Sequence, residues 1–291
     1  MEKSRAVRHK LTQEMVLKEL ERVYGRTNYL YKIWKQITEK MWDELKPEIA
    51  ELIMKFIEDP HQKIDLNKYP ALRLAVEEAE RKHRQAVLDY YYIAYNVITE
   101  SMKTTYKDTS ANIYKFMGET PYWKENSKAN PVERHMAQTR ITDTYITDKV
   151  LNIPWCQDGK VYSQRLWGHI ANFQSKLDYV LKEGIENGRG MEWMEKAFRQ
   201  LTGASAYDTA RLLKTESMAV WSRATKDTYL EMGVEYVEIV GDAECGGICL
   251  DYVAGDAILL AEAEINDDLP PYHPNCACSF VAYEDIPPEH Y

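Results

Sequence analysis

Apolar side chains recur three and four positions apart over most of this 291-residue chain, the spacing of amphipathic helices. From about residue 11 to residue 58 the stripe runs Leu17, Leu20, Val23, Tyr24, then Tyr31, Trp34, Ile37, Met41, Trp42, Leu45, then Ile49, Leu52, Ile53, Phe56, Ile57. Pro47 is expected to close one helix and open the next, and Asp59-Pro60 to stop it. After a loop over 61–70 a second long helix is expected from Ala71 to about Tyr106, its buried face marked by Leu74, Ala75, Ala79, Val87, Tyr91, Val97 and Ile98. Together these elements predict a long antiparallel helical arm. The Thr-, Pro- and charge-rich stretch that follows predicts a hinge within 107–132.

The middle of the chain is helical again by pattern. Arg134 to Val150 reads as one helix. Asp158-Gly159 is a turn signal, and Ser163 is a good N-cap for a helix over Gln164–Asn187, with Gly188 beyond its end. Leu166, Trp167, Ile170, Phe173, Leu177, Val180, Leu181 and Ile185 form its apolar face. A shorter helix over Glu192–Leu201 is expected to stop at Gly203, and Ser205 with Asp208 to cap a third helix over Tyr207–Met232 that ends at Gly233. The period then changes. Val234 to Val240 alternates and is β-branched, which predicts a strand. A hairpin is expected over Val253–Leu260 around Gly255-Asp256, and a last strand over Phe280–Tyr283. The fold class is therefore mainly α, with a helical arm over 1–118, a helical core over 119–240 ending in a strand, and a small α+β Cys/His knuckle over 241–291.

That knuckle carries the candidate chemistry. Four of the five cysteines fall between Cys245-Gly246-Gly247-Ile248-Cys249 and His273-Pro274-Asn275-Cys276-Ala277-Cys278, with His273 between the pairs. Thiolates and imidazole at such short spacings suit tetrahedral zinc, because one tight turn can present two ligands to one ion. There are five candidate ligands for four positions: Cys245, Cys249, His273, Cys276 and Cys278. The favoured set is Cys245, Cys249, His273 and Cys276, with Cys278 as the substitute for His273. Disulfides and small buried thiols are the competing readings. Charges throughout the first thirty residues argue against a signal peptide, so a reducing compartment is expected, which disfavours disulfides. A closed four-ligand site is structural, with no open position for substrate. Cys156 stands apart and reads as a packing residue.

A net charge of −9 and a pI near 5.4 exclude wholesale coating of nucleic acid. Residues 241–291 hold no Lys or Arg, so the knuckle lacks the cations that bind phosphate. DNA contact, if the chain makes any, is expected from the basic N-terminal arm or from Arg211, Lys214, Arg223 and Lys226. No apolar run approaches the roughly 18 residues of a membrane helix. Tyrosine is frequent, with 21 copies against 5 phenylalanines, and Trp adds 7. Such residues suit docking surfaces. The run Tyr90-Tyr91-Tyr92 has no basic cluster beside it and reads as packing rather than base stacking. Glu216 interrupts an aliphatic face without a second carboxylate or His at helical spacing. It reads as a structural group bonded to a backbone amide, Arg223 or Arg165. No G-x-S-x-G, H-E-x-x-H or P-loop pattern is present.

Three elements, in this order, resemble the head-morphogenesis (Mu F-like) minor capsid proteins of tailed bacteriophages. They are Gly159 to Trp167 opening a helix, Thr215-Glu216 within a helix followed by the Gly233-Val234 strand entry, and the cysteine pair with the final Pro271-Tyr272-His273-Pro274-Asn275-Cys276-Ala277-Cys278. The likeness covers roughly residues 120–283. It departs from the family where one residue is added between the first two cysteines and where Ala277 replaces the usual Arg. The resemblance implies a non-enzymatic structural protein of the virion, at the portal vertex or inside the head, made in the bacterial host cytoplasm. Its implied partners are portal or major capsid protein, with phage DNA and self-association as further candidates and no membrane. The alternative is a metal-dependent nuclease, for which Glu244, Asp251 and Asp256 are candidates, or a DNA-binding accessory protein.

Overall fold

The computed structural model describes residues 21–23, 25, 28–29, 31–32, 35–36, 38–40, 42–52, 54–56, 63–119, 140–241, 248–253 and 255–283. Cys245, Glu244, the Asp59-Pro60 stop, the basic N-terminal arm and the 120–132 part of the expected hinge lie outside these residues. The protein is mainly helical, with one small antiparallel sheet near the C-terminus. Its chain forms two compact units, the first from Met1–Thr27, Thr99–Tyr162 and Arg211–Tyr291, the second from Asn28–Ile98 and Ser163–Ala210.

The second unit is helix packed on helix. Described residues between 21 and 56 are helical, and the run over 42–52 passes through Pro47 unbroken. A 3-10 turn over Leu66–Lys68, capped by Asp65, leads into α1 (Pro70–Glu119), whose Pro70 occupies the first turn, where a missing N–H costs nothing. Helix α3 (Tyr162–Glu186) buries Leu166, Ile170, Phe173, Leu177, Leu181 and Ile185, the stripe read from the sequence. Trp42 stacks on Phe198 with ring centroids 4.3 Å apart, and Phe173 meets Phe198 edge-on. Tyr91 is fully buried against Trp167 with centroids 4.0 Å apart, so this member of the tyrosine run is packing.

Two helices run past their expected ends. Helix α1 continues through 107–119, where a hinge was expected, as part of a single 50-residue element. Thr105, Thr109 and Ser110 are buried there beside Tyr106, Ile113, Tyr114 and Met117, so tertiary burial overrides their modest helix propensity. Likewise α4 spans Gly190–Met232 without stopping at Gly203. Phe198, Leu201, Thr202, Ala206, Thr209 and Leu213 continue one buried stripe across that glycine. Between α1 and α3, Thr142 caps a short α2 (Asp143–Ile146) that runs into a π turn over Thr147–Leu151. The helix expected over Arg134–Val150 is interrupted at Ile141 and Thr142, which are not helical, and its first residues, 134–139, lie outside the described residues.

The first unit holds the sheet. Helix α4 ends in a Schellman motif: Gly233, at φ 82°, donates to Leu230 O, and the Val234 amide donates to Tyr229 O. The chain then enters β1 (Tyr236–Val240), crosses the short α5 (Ile248–Val253), and adds β2 (Ile258–Leu259) and β3 (Ser279–Ala282) on either side of β1. The hairpin expected over Val253–Leu260 is absent, because Ile258 pairs with Val237 of β1 rather than with a neighbouring strand. β1 buries Val237 and Ile239 by alternation, whereas all four residues of β3 are buried. Their core includes Trp221 and Tyr229 of α4, both edge-on to Phe280, and the sulfurs of Cys249, Cys276 and Cys278.

Candidate metal centre

Three different elements deliver the three cysteines. Cys249 lies in α5. Cys278 immediately precedes β3, whose register Val240↔Ser279 carries that residue to the end of β1. Cys276 closes a four-residue turn in which its amide donates to His273 O at 3.1 Å. The turn follows from the sequence. Pro274 presets φ at the second position, and Asn275, at φ 64°, takes the left-handed conformation that Asn tolerates better than most residues. One turn thereby holds His273 and Cys276 three residues apart.

The three Sγ atoms lie within 4.8 Å of one another and could hold a metal ion; among the described residues they form the one such cluster of His, Cys, Asp and Glu. Cys249 and Cys276 are 3.8 Å apart through their sulfurs, far beyond a disulfide bond, and all three are free thiols. His273 Nε2 lies 3.0 Å from Cys249 Sγ. Its Nδ1 lies 2.9 Å from Pro274 O, so Nδ1–H donates to that carbonyl and the Nε2 lone pair faces the sulfur. Tethering the far nitrogen to a carbonyl is the arrangement that orients metal-binding imidazoles. Cys278, the substitute in the sequence reading, belongs to the cluster. His273, although its Nε2 meets Cys249 Sγ, is not one of the three, and neither are the exposed Asp251 and Asp256.

The thiols share protons unequally. Cys276 is pulled down, first by the hydrogen bond from the Cys278 thiol and then by backbone hydrogen bonds at Tyr272 and Cys278, against the opposing effect of burial. Cys278 is pushed up by that same bond and by its burial. A buried cluster that favours thiolate suits a cation. Tyr272 stacks on Tyr252 at 4.2 Å and donates to Asp268 O at 2.8 Å.

Space around the cluster is tight. A Cβ on Gly241 would stand 2.7 Å from Cys278 Sγ and 3.1 Å from a Val253 methyl. Gly241→Ala is therefore expected to displace the Cys278 sulfur and to weaken metal retention while leaving the helical content unchanged, as read by metal competition and circular dichroism. Unaltered affinity would contradict the packing.

The helix side of the site comes from Thr215-Glu216. The Asn275 amide donates to Thr215 Oγ1 at 3.1 Å. Glu216, only 3% exposed, accepts from Trp155 Nε1 at 2.7 Å. Sequence reasoning expected a backbone amide, Arg223 or Arg165 as the partner of Glu216 and missed Trp155, which lies 61 positions away and offers no periodic signal. The pair borders a cavity of about 130 Å³ lined also by Lys149, Tyr162, Arg223 and Lys226. Glu216→Ala removes the acceptor of a part-buried indole N–H and is expected to cost about 1–3 kcal/mol in chemical denaturation. Glu216→Gln, which keeps an acceptor oxygen, should cost less.

Comparison of the chain with protein-family models, curated proteins and solved structures gives no match.

Proposed function

We propose that this chain is a minor head protein of a tailed bacteriophage or prophage, a structural and docking component of the portal vertex or inner capsid that performs no chemistry. The observation that carries the reading is the hydrogen bond from Asn275 to Thr215. It joins two of the three segments on which the likeness to head-morphogenesis proteins rests. The third segment supplies Tyr162, which borders the same cavity as Glu216. Residues that look unrelated along the chain thus come together within one compact unit, which supports reading them as parts of one site.

The cluster in this proposal is a structural zinc site held by Cys249, His273, Cys276 and Cys278, with Cys245 as the remaining candidate. Zinc–sulfur bonds of about 2.3 Å in a tetrahedron set neighbouring sulfurs about 3.8 Å apart. Cys249 and Cys276 are separated by 3.8 Å. The three sulfurs supply three donors; with His273 as the proposed fourth, no position would stay open for a water or substrate, as a structural role requires. The docking role draws on the second unit, where Tyr29, Tyr92, Tyr179 and Tyr207 are each more than half exposed. Portal or major capsid protein is the partner proposed for these faces.

The test is quantitative mass spectrometry of purified heads and proheads from the producing strain. A few to a few tens of copies per particle is the expected result. Absence from both particles would overturn the proposal.

A further inference from the structure

We infer that Thr215 is the positioning residue of the metal centre: its hydroxyl fixes the His273–Cys276 turn on helix α4, so that two donors are in place before the ion arrives. The inference rests on the metal reading above and goes beyond it in assigning a function to a residue that carries no ligand atom. Thr215 is 8% exposed. Its Oγ1 donates to Arg211 O at 2.7 Å, one helical turn back, and accepts the Asn275 N–H at 3.1 Å. The single proton is thus committed to the helix, which leaves the oxygen lone pair facing the turn.

The acceptor meets a particular need. Within the turn, the closing bond uses the Cys276 amide, so the Asn275 amide has no part in the turn's own bonding and would otherwise require water or another partner. Asn275 sits between the two donors, one residue after Pro274 and one before Cys276. A hydrogen bond at that amide fixes the Pro274–Asn275 peptide plane at the centre of the turn, while the Cys276 amide fixes the next one, and the turn so held sets the direction of the His273 and Cys276 side chains. The same turn carries the His273 Nδ1 to Pro274 O contact, so loosening it would release the imidazole orientation as well. Groups that orient ligands without touching the metal typically change affinity by about 10- to 100-fold.

The experiment uses the full chain, stripped of metal under reducing conditions and titrated with Zn2+ against a chromogenic chelator. Co2+ is titrated in parallel for its thiolate charge-transfer bands. Thr215→Val, which keeps the shape and loses the hydroxyl, is expected to bind zinc about 10- to 100-fold more weakly. Its cobalt spectrum should be altered in intensity or position. Thr215→Ser is expected to restore affinity and spectrum. Val76→Ala, a truncation in the separate core of the second unit, should lower the melting temperature without changing the cobalt spectrum. Wild-type affinity and spectrum in Thr215→Val would overturn the inference and leave the metal reading standing. Failure of the wild-type protein to bind one ion would overturn both. Hydrogen exchange of the Asn275 amide in metal-free wild-type protein gives a reading that depends on no variant. Protection is expected, and exchange at the rate of an open turn would overturn the inference.

Discussion

Stripping the metal from the wild-type protein is expected to lower its melting temperature by about 8–16 °C. The figure follows from mass action. An ion that binds only the folded chain, at a free concentration a thousand times its dissociation constant, stabilises it by about 4 kcal/mol, and each kcal/mol moves the melting point of a domain this size by about 2–4 °C. The position of the sulfurs makes the effect large. Cys249, Cys276 and Cys278 are each no more than 1% exposed and pack in one core with Leu260, Val237 and Phe280. Without a cation, thiolate character in that core is uncompensated charge in an apolar setting, which is costly. Cys276→Ser should reproduce the loss without chelator, with an elemental zinc content near zero. Cys245→Ser should keep both zinc and melting point if Cys249, His273, Cys276 and Cys278 fill the site. Hydrogen exchange should place the lost protection in residues 211–240 and 248–283. Complete removal of metal with an unmoved melting transition would sink the structural-zinc proposal.

Phe280→Ala is the core substitution expected to cost most. Phe280 is fully buried on β3, with Trp221 edge-on at 5.8 Å and Tyr229 at 6.2 Å. Truncating a buried Phe typically costs about 3–5 kcal/mol, because the neighbours only partly close on the space left behind. The two edge-to-face contacts add to the loss. β3 follows Cys278 directly and is tied to β1 by the pairs Ile239↔Phe280 and Val240↔Ser279. A cavity beneath this strand should therefore also loosen its sulfur. The measurement is the denaturant midpoint, with Phe280→Leu as a milder comparison. A shift within the roughly 0.5 kcal/mol of a typical surface substitution would contradict the burial.

Much of this was legible in the sequence. The apolar stripe of α3, the stop at Gly233 and the alternation of β1 each follow from one local rule that nothing in the tertiary structure opposes. The cysteine cluster was legible in part from spacing: Cys249 and Cys276 belong to the favoured set, whereas Cys278 stood there only as the substitute for His273 and Cys245 lies outside the described residues. The continuity of α1 past Tyr106 and of α4 past Gly203 was not. Thr109, Ser110 and Gly203 weaken a helix in isolation, and only the burial of their neighbours against other elements decides the outcome. The pairing of β2 with β1 was hidden for a related reason: twenty residues separate Val237 from the Ile258 it meets, and a local turn signal at Gly255-Asp256 pointed to a hairpin instead. Trp155 and Thr215 were harder still. Their importance lies in partners 61 and 60 positions distant, and neither residue type advertises such a bond.

The division of the chain into units also sets an order of events on the ribosome. Every residue of the second unit, from Asn28–Ile98 and Ser163–Ala210, has been polymerised before Arg211 is added. The first unit by contrast waits for β3, which with the turn that carries His273 and Cys276 follows its other named elements along the chain. Its early segments, including the far end of α1, must therefore persist beside a growing nascent chain without their eventual covering. The residues of the second unit are thus complete first, and the proposed metal site is complete only once β3 has been made.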